Sequence, residues 1–189
     1  MRIPEKQVMA QLKLNFKGVT TLLVDRDRYT RSLIAQMLRG FGVGGIEAVD
    51  TGEAAMKYVK EHFVDLLIVE ADLPDMRCSD FIKWVRRENK EPLRFVPILV
   101  LNGYTQMRLI SAVRDAGANI VVKKPVSAQT MFDRVAWIAR TPRAYIETPD
   151  FVGPDRRFKE ITPPSGDYRR ETDFPVQETE MAEKASGVG

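Results

Sequence analysis

Between Gly18 and Arg140 the hydrophobic pattern alternates between two kinds. Short apolar runs at Thr20–Asp25, Gly45–Val49, Leu66–Glu70, Pro97–Leu101 and Asn119–Lys123 predict strands. Their hydrophobicity is continuous rather than alternating, as a parallel strand requires when helices cover both faces of its sheet. Between the runs, apolar residues recur at helical spacing: Leu33, Ile34, Met37 and Leu38, then Phe81, Ile82, Trp84 and Val85, then Phe132, Val135, Ala136 and Ile138. Five strands alternating with five helices imply an α/β fold, a doubly wound five-stranded parallel sheet with helices on both faces. In such a sheet, sites form at the carboxyl ends of the strands.

The pattern divides the chain into three parts. Residues 1–18 precede the first strand, and Val8, Leu12, Leu14 and Phe16 suggest a short amphipathic helix whose start Pro4 limits. Residues 19–141 form the α/β domain. From residue 142 to 189 the composition changes: six of the eleven prolines lie there, strong apolar periodicity stops, and charges of both signs mix. An extended or disordered tail is expected. The tail contains one echo, Gly153-Pro-Asp-Arg-Arg157 and then Gly166-Asp-Tyr-Arg-Arg170. Arg156, Arg157, Arg169 and Arg170, with Phe151, Phe158, Tyr168 and Phe174 nearby, form a candidate binding motif set against a chance repeat in a charged tail.

Composition narrows the function classes. The net charge of +3 is too small to argue for nucleic acid, and no stretch approaches the roughly 20 apolar residues of a membrane span. One cysteine, Cys78, rules out an internal disulfide and suits a reducing cytoplasm, which is the expected location. With one histidine, His62, beside it, no zinc site is expected. Charge is uneven: from Pro142 onward there are seven basic and ten acidic residues, and before it 22 basic against 16 acidic. A basic body with a slightly acidic tail is compatible with partner binding.

The strand-end residues carry a resemblance. Asp65-Leu-Leu-Ile-Val-Glu70 followed by Ala71-Asp72-Leu73-Pro74, the opening strand Leu22-Leu-Val-Asp25-Arg26-Asp27 with Arg31 downstream, and Val121-Val-Lys-Lys124-Pro125 together resemble the bacterial response-regulator receiver domain. The likeness runs from about Val19 to Arg140. In that family an aspartate at the end of the third strand is phosphorylated by a histidine kinase. A pair of acids after the first strand helps to hold magnesium, a Thr or Ser ends the fourth strand, and an aromatic switch lies near the fifth.

This chain departs from the pattern at each of these points. Glu70 stands at the phosphoacceptor position. Asp25 matches the first acid, but Arg26 replaces the second, and Asp27 follows. A guanidinium near the metal position opposes Mg²⁺, which requires close oxygen ligands, and Arg26 is expected to pair with Glu70 or Asp25. Asn102 replaces the hydroxyl, and Val121 stands where the aromatic is usual. Lys124 matches the family lysine and is expected to pair with Glu70.

The resemblance then implies a degenerate receiver: a non-enzymatic signalling module, with no cofactor or metal, for which conventional Mg-dependent phosphorylation is not expected. Asp72 and Asp75 read as solvated loop acids and Cys78 as a passive loop thiol. Protein partners are expected on the face of the fourth helix, fifth strand and fifth helix (Tyr104 to Asp115 and Ala128 to Arg140) or on the tail, with a homodimer as one form. No helix-turn-helix pattern follows, so no DNA-binding domain is expected. Two alternatives stay open. One is a working response regulator phosphorylated at Glu70 or Asp72. The other is a receiver-like effector binding a cyclic dinucleotide or other anion through the tail arginines.

Overall fold

In a computed structural model the described residues are 14–87, 91–103, 107–148 and 151–155. The elements are β1 (Thr20–Val24), α1 (Arg28–Gly40), β2 (Gly45–Val49), α2 (Gly52–Glu61), β3 (Leu66–Glu70), α3 (Cys78–Arg87), a 3-10 turn (Leu93–Phe95), β4 (Ile98–Asn102), α4 (Met107–Asp115), β5 (Ile120–Lys123), α5 (Ala128–Arg140), β6 (Tyr145–Glu147) and β7 (Val152–Pro154). The first five strands form one sheet in the order β2-β1-β3-β4-β5, paired in parallel throughout. This is the doubly wound arrangement expected from the hydrophobic runs.

Side chains alternate between two cores. Leu22, Val24, Leu67, Val69, Ile98, Val100 and Val121 face one side, where Val59, Phe81, Ile82 and Val113 cover them. Leu23, Leu66, Ile68, Leu99, Leu101, Ile120 and Val122 face the other, under Ile34, Leu38, Met131 and Val135. The period-two alternation was hidden in the sequence because both faces of the sheet are apolar. Strand β2 differs from expectation: it is an edge, with Glu47 and Ala48 exposed. Among the described residues no helix is long and apolar enough to cross a membrane.

Both ends of the domain differ from their sequence reading. Residues 1–13 of the expected N-terminal helix lie outside the described residues. Leu14 and Phe16 are not helical; Phe16 is buried, and its carbonyl accepts from the Val19 and Gly44 amides. A Cβ on Gly44 would fall 1.8 Å from the Lys17 carbonyl oxygen, so only glycine fits that approach. Tertiary contacts thus outweigh the helical spacing.

At the other end, the start of the expected tail forms a short antiparallel ladder, β6 with β7. The Asp155 amide donates to the Ala144 carbonyl at 2.8 Å and closes it. The ladder packs against α3 and the loop that follows α4, where two glycines meet. Gly117 has φ +107°, where a side chain would be strained, and a Cβ there would lie 2.6 Å from the Val152 carbonyl oxygen. A Cβ on Gly153 would lie 2.9 Å from the Gly117 Cα. Gly153, the first residue of the first arginine echo, is therefore a packing glycine. Arg156, Arg157, Arg169 and Arg170 lie outside the described residues.

Beneath the ladder sits Arg86, 1% exposed. Its guanidinium donates to the carbonyls of Arg94 (3.0 Å), Val96 (2.7 Å) and Gly117 (3.0 and 3.1 Å) and to Asn119 Oδ1 (3.1 Å). The Tyr145 ring covers it at 5.2 Å, and the Tyr145 hydroxyl meets Asn119. Burial lowers the Arg86 pKa to about 10, partly offset by Tyr145, so the group stays charged at neutral pH. Arg94 Nη2 reaches Glu147 at 2.6 Å from the same ladder.

Candidate strand-end site

Three parallel strands bring the site together. The end of β1 leads into Asp25, β3 ends on Glu70, and Lys124 follows β5; Glu70 stands in register with Leu101, and Asn102 with Lys123. The first turn of α1 fixes the β1 end. Asp27 is its N-cap, accepting from the Thr30 amide at 2.7 Å, a bond that holds its carboxyl below the usual carboxylate range. The Asp27 amide in turn donates to Asp25 Oδ1 at 2.8 Å, and Arg31 donates to the Asp25 carbonyl.

At the centre, Lys124 Nζ lies 2.6 Å from Asp25 Oδ2 and 2.6 Å from Glu70 Oε1. Asp25 is fully buried, and the Glu70 and Lys124 side chains are 13% and 18% exposed. One ammonium therefore serves two carboxylates. Burial raises the Glu70 pKa, and the neighbouring Asp25 carboxyl raises it further, against the opposing pull of Lys124. Glu70 Oε2 is buried with no hydrogen-bond partner. The expected pairing of Lys124 with Glu70 is present, and Asp25 joins it.

Arg26 does not point into this cluster. Its guanidinium pairs instead with Asp72 at 3.0 Å, with side chains 51% and 44% exposed. The reason is solvation: Lys124 already bridges both buried carboxylates, and a guanidinium brought in beside it would be desolvated next to a like charge. At the surface, a pair of this kind contributes about 0–1 kcal/mol. Asp72 is thus a solvent-accessible loop acid that also carries Arg26 as its partner.

The other expected positions lie as follows. Asn102 is buried at the end of β4, and its carbonyl accepts from the Lys124 amide at 2.8 Å. Val121 is buried in the core beside Val100, so a packed valine holds the position that the resemblance gives to an aromatic switch. Cys78 is the first residue of α3 and 1% exposed; burial, then Glu70, pushes its thiol up to about 12, which leaves it unreactive. Tyr104 and Thr105 lie outside the described residues.

Asp75 was missed as a structural group. Burial pushes its carboxyl up, but bonds from backbone amides outweigh that and hold it below the usual range. Its two oxygens accept from Gly52 N (2.9 Å) and Glu53 N (2.8 Å), so the β3–α3 loop caps α2. No local spacing could have shown this, because 22 or 23 residues separate the partners. Arg86 did leave a signal: it lies four residues after Ile82, on the apolar face of α3.

Magnesium of the family's kind does not fit these residues. Mg²⁺ takes oxygen ligands in near-octahedral geometry. Here Asp25 spends one oxygen on the Asp27 amide and the other on Lys124, and Glu70 spends Oε1 on Lys124. Only Glu70 Oε2 is left of the two carboxylates, and the ammonium stands between them. Among the described residues no group of three or more His, Cys, Asp or Glu is placed to hold a metal ion.

Comparison with known proteins identifies the domain that carries this site. The chemotaxis protein CheY-3 of Vibrio cholerae is 25% identical over 119 residues, covering 63% of this chain and 90% of its own length. The chemotaxis protein CheY of Pseudomonas aeruginosa is 27% identical over 114 residues, covering 60% and 90%. The crystal structure of a putative response regulator from Chloroflexus aurantiacus superimposes with a TM-score of 0.58 at 29% identity, covering 66% of this chain and 100% of that one. The sequence profile of the response regulator receiver domain matches residues 21–136, from β1 into α5, and the chain belongs to that family.

Proposed function

We propose that this receiver domain is a signalling interaction module whose strand-end site is held by its own lysine in place of phosphate and magnesium. The supporting observation is the Lys124 ammonium at 2.6 Å from both Asp25 and Glu70. Phosphoryl transfer depends on placing an acceptor, a metal and an incoming phosphoryl group in line. In this chain the acceptor position carries the longer Glu70, already engaged. A guanidinium follows Asp25, and its charge is spent on Asp72. The loss of each part points the same way.

Receiver domains act through other signalling proteins. The surface of α4, β5 and α5 is the best-placed contact face here. Helix α4 buries only Val113 completely and leaves Met107 61% exposed, with Leu109 and Ile110 half-buried. A helix so lightly anchored offers apolar area to a protein partner.

The test is chemical. The purified chain is incubated with a small acyl phosphate and Mg²⁺, and its intact mass is followed beside a Glu70→Ala and an Asp72→Asn chain. No phosphoryl adduct is expected in any of them. A stoichiometric adduct in the wild type that either substitution abolishes would overturn this function.

A further inference from the structure

Helix α1 carries an exposed stripe that nothing in the site or the core uses. Tyr29 is 85% exposed and Leu33 52%, one turn apart on the same helix face. Gln36 and Gly40 continue the stripe, and Arg28, Ser32 and Arg39 form the row beside it, all exposed. Two exposed apolar residues a turn apart make a continuous contact surface, whereas the other large exposed apolar residues among those described, Phe63 in the loop after α2 and Met107 on α4, have no such neighbour on the same element.

The charge around the stripe is one-sided. From residue 26 to 40 there are four arginines and one acid. That acid, Asp27, is occupied as the N-cap of α1. Arg26 pairs with Asp72 and Arg31 with the Asp25 carbonyl, which leaves Arg28 and Arg39 beside Tyr29 and Leu33 to meet an acidic partner.

The chain itself contains a segment of the complementary kind. Residues 171–183 hold Glu171, Asp173, Glu178, Glu180 and Glu183 with no basic residue, interleaved with Phe174, Val176 and Met181. The acidic balance of the tail is concentrated there, since the paired arginines precede it. We propose that residues 171–183 dock in cis on the α1 surface formed by Tyr29, Leu33, Arg28 and Arg39.

The distances allow it. The described chain reaches Asp155, whose amide is bonded to Ala144, four residues beyond α5. Helix α5 packs beside α1, where the Phe41 and Phe132 rings meet at 5.3 Å. Neighbouring helix axes lie about 8–10 Å apart, and the thirteen residues of α1 rise about 20 Å. Residues 156–170 span up to about 50 Å when extended, which exceeds that path. Docking would cover α1 against partners in trans while leaving the α4–β5–α5 surface open. It would yield to a competing acidic peptide and to salt.

Paramagnetic NMR on the full chain tests the docking. A nitroxide is attached at Ser186→Cys; Cys78 is buried, so the label goes to the new thiol. At low salt the amide signals of Tyr29, Leu33 and Gln36 are expected to lose about half their intensity or more relative to the reduced label. They should recover in a chain that also carries Glu178→Lys and Glu180→Lys, and on raising salt to about 0.5 M. Signal loss that is absent from α1, centred on another face, or unchanged by charge reversal would overturn the proposal. Loss of equal size when the label sits only on a second, isotopically silent copy would overturn docking in cis.

Discussion

Replacing Arg86 with alanine is expected to destabilise the domain by about 3–5 kcal/mol and to release the β6–β7 ladder. The side chain is 1% exposed, and all its acceptors are neutral: three backbone carbonyls and Asn119 Oδ1. A buried cation held only by dipoles depends on having every donor satisfied, and Arg86 meets that condition. Truncation strands those acceptors, opens a cavity between α3 and the 3-10 turn, and removes the cation beneath Tyr145. Arg86→Met, which fills much of the volume but donates nothing, should fall between wild type and alanine. Urea unfolding measures the loss, and amide exchange at residues 145–154 reads the ladder. An alanine variant with wild-type stability and unchanged exchange there would contradict this account of the hairpin.

Lys124→Ala is expected to cost a comparable amount, about 3–5 kcal/mol at neutral pH, because it leaves two buried carboxylates without their shared cation. The pH dependence distinguishes this from simple lost packing. In the wild type, burial and then Asp25 raise the Glu70 pKa above its unfolded value. The Glu70 contribution is therefore fully present below the unfolded carboxyl range, about 4.3, and is lost as pH rises through the folded value. Removing Lys124 removes the group that opposes this shift. The gap between the variant and wild type should thus widen as pH rises from acid to neutral. Adding Glu70→Gln to Lys124→Ala removes one of the two like charges and should close much of the gap at neutral pH. Denaturant midpoints across the pH range measure both effects. A gap constant with pH and untouched by Glu70→Gln would show that the charges are not the cause.

The difference between what the sequence revealed and what it hid follows from range. Leu66–Glu70 and Ile98–Asn102 were legible because a strand covered on both faces writes a continuous apolar run into the chain. Asp25, Glu70 and Lys124 were legible as a group because parallel strands deliver their carboxyl ends to one edge. The partner of Arg26 was not legible. Its choice between Asp72 and Glu70 depends on where Lys124 sits, 98 positions away, and on which ion stays hydrated. The ladder was hidden for a related reason. Strands of three residues, Tyr145–Glu147 and Val152–Pro154, are too short to show a period, and partners on α3 and at Gly117 hold them in place. Leu14 and Phe16 show the converse, a helical spacing overridden by packing.

The central claim is that the Lys124 bridge occupies the site that phosphate and magnesium would otherwise use. The most direct measurement is a Mg²⁺ titration of the isotope-labelled chain, followed through the amide resonances of Asp25, Asp27, Ala71 and Lys124. The bridge predicts no saturable shift at these residues up to millimolar Mg²⁺, beyond the uniform drift of rising ionic strength. A saturable shift centred on Asp25 and Ala71 would contradict it, because the metal could bind only by displacing the lysine.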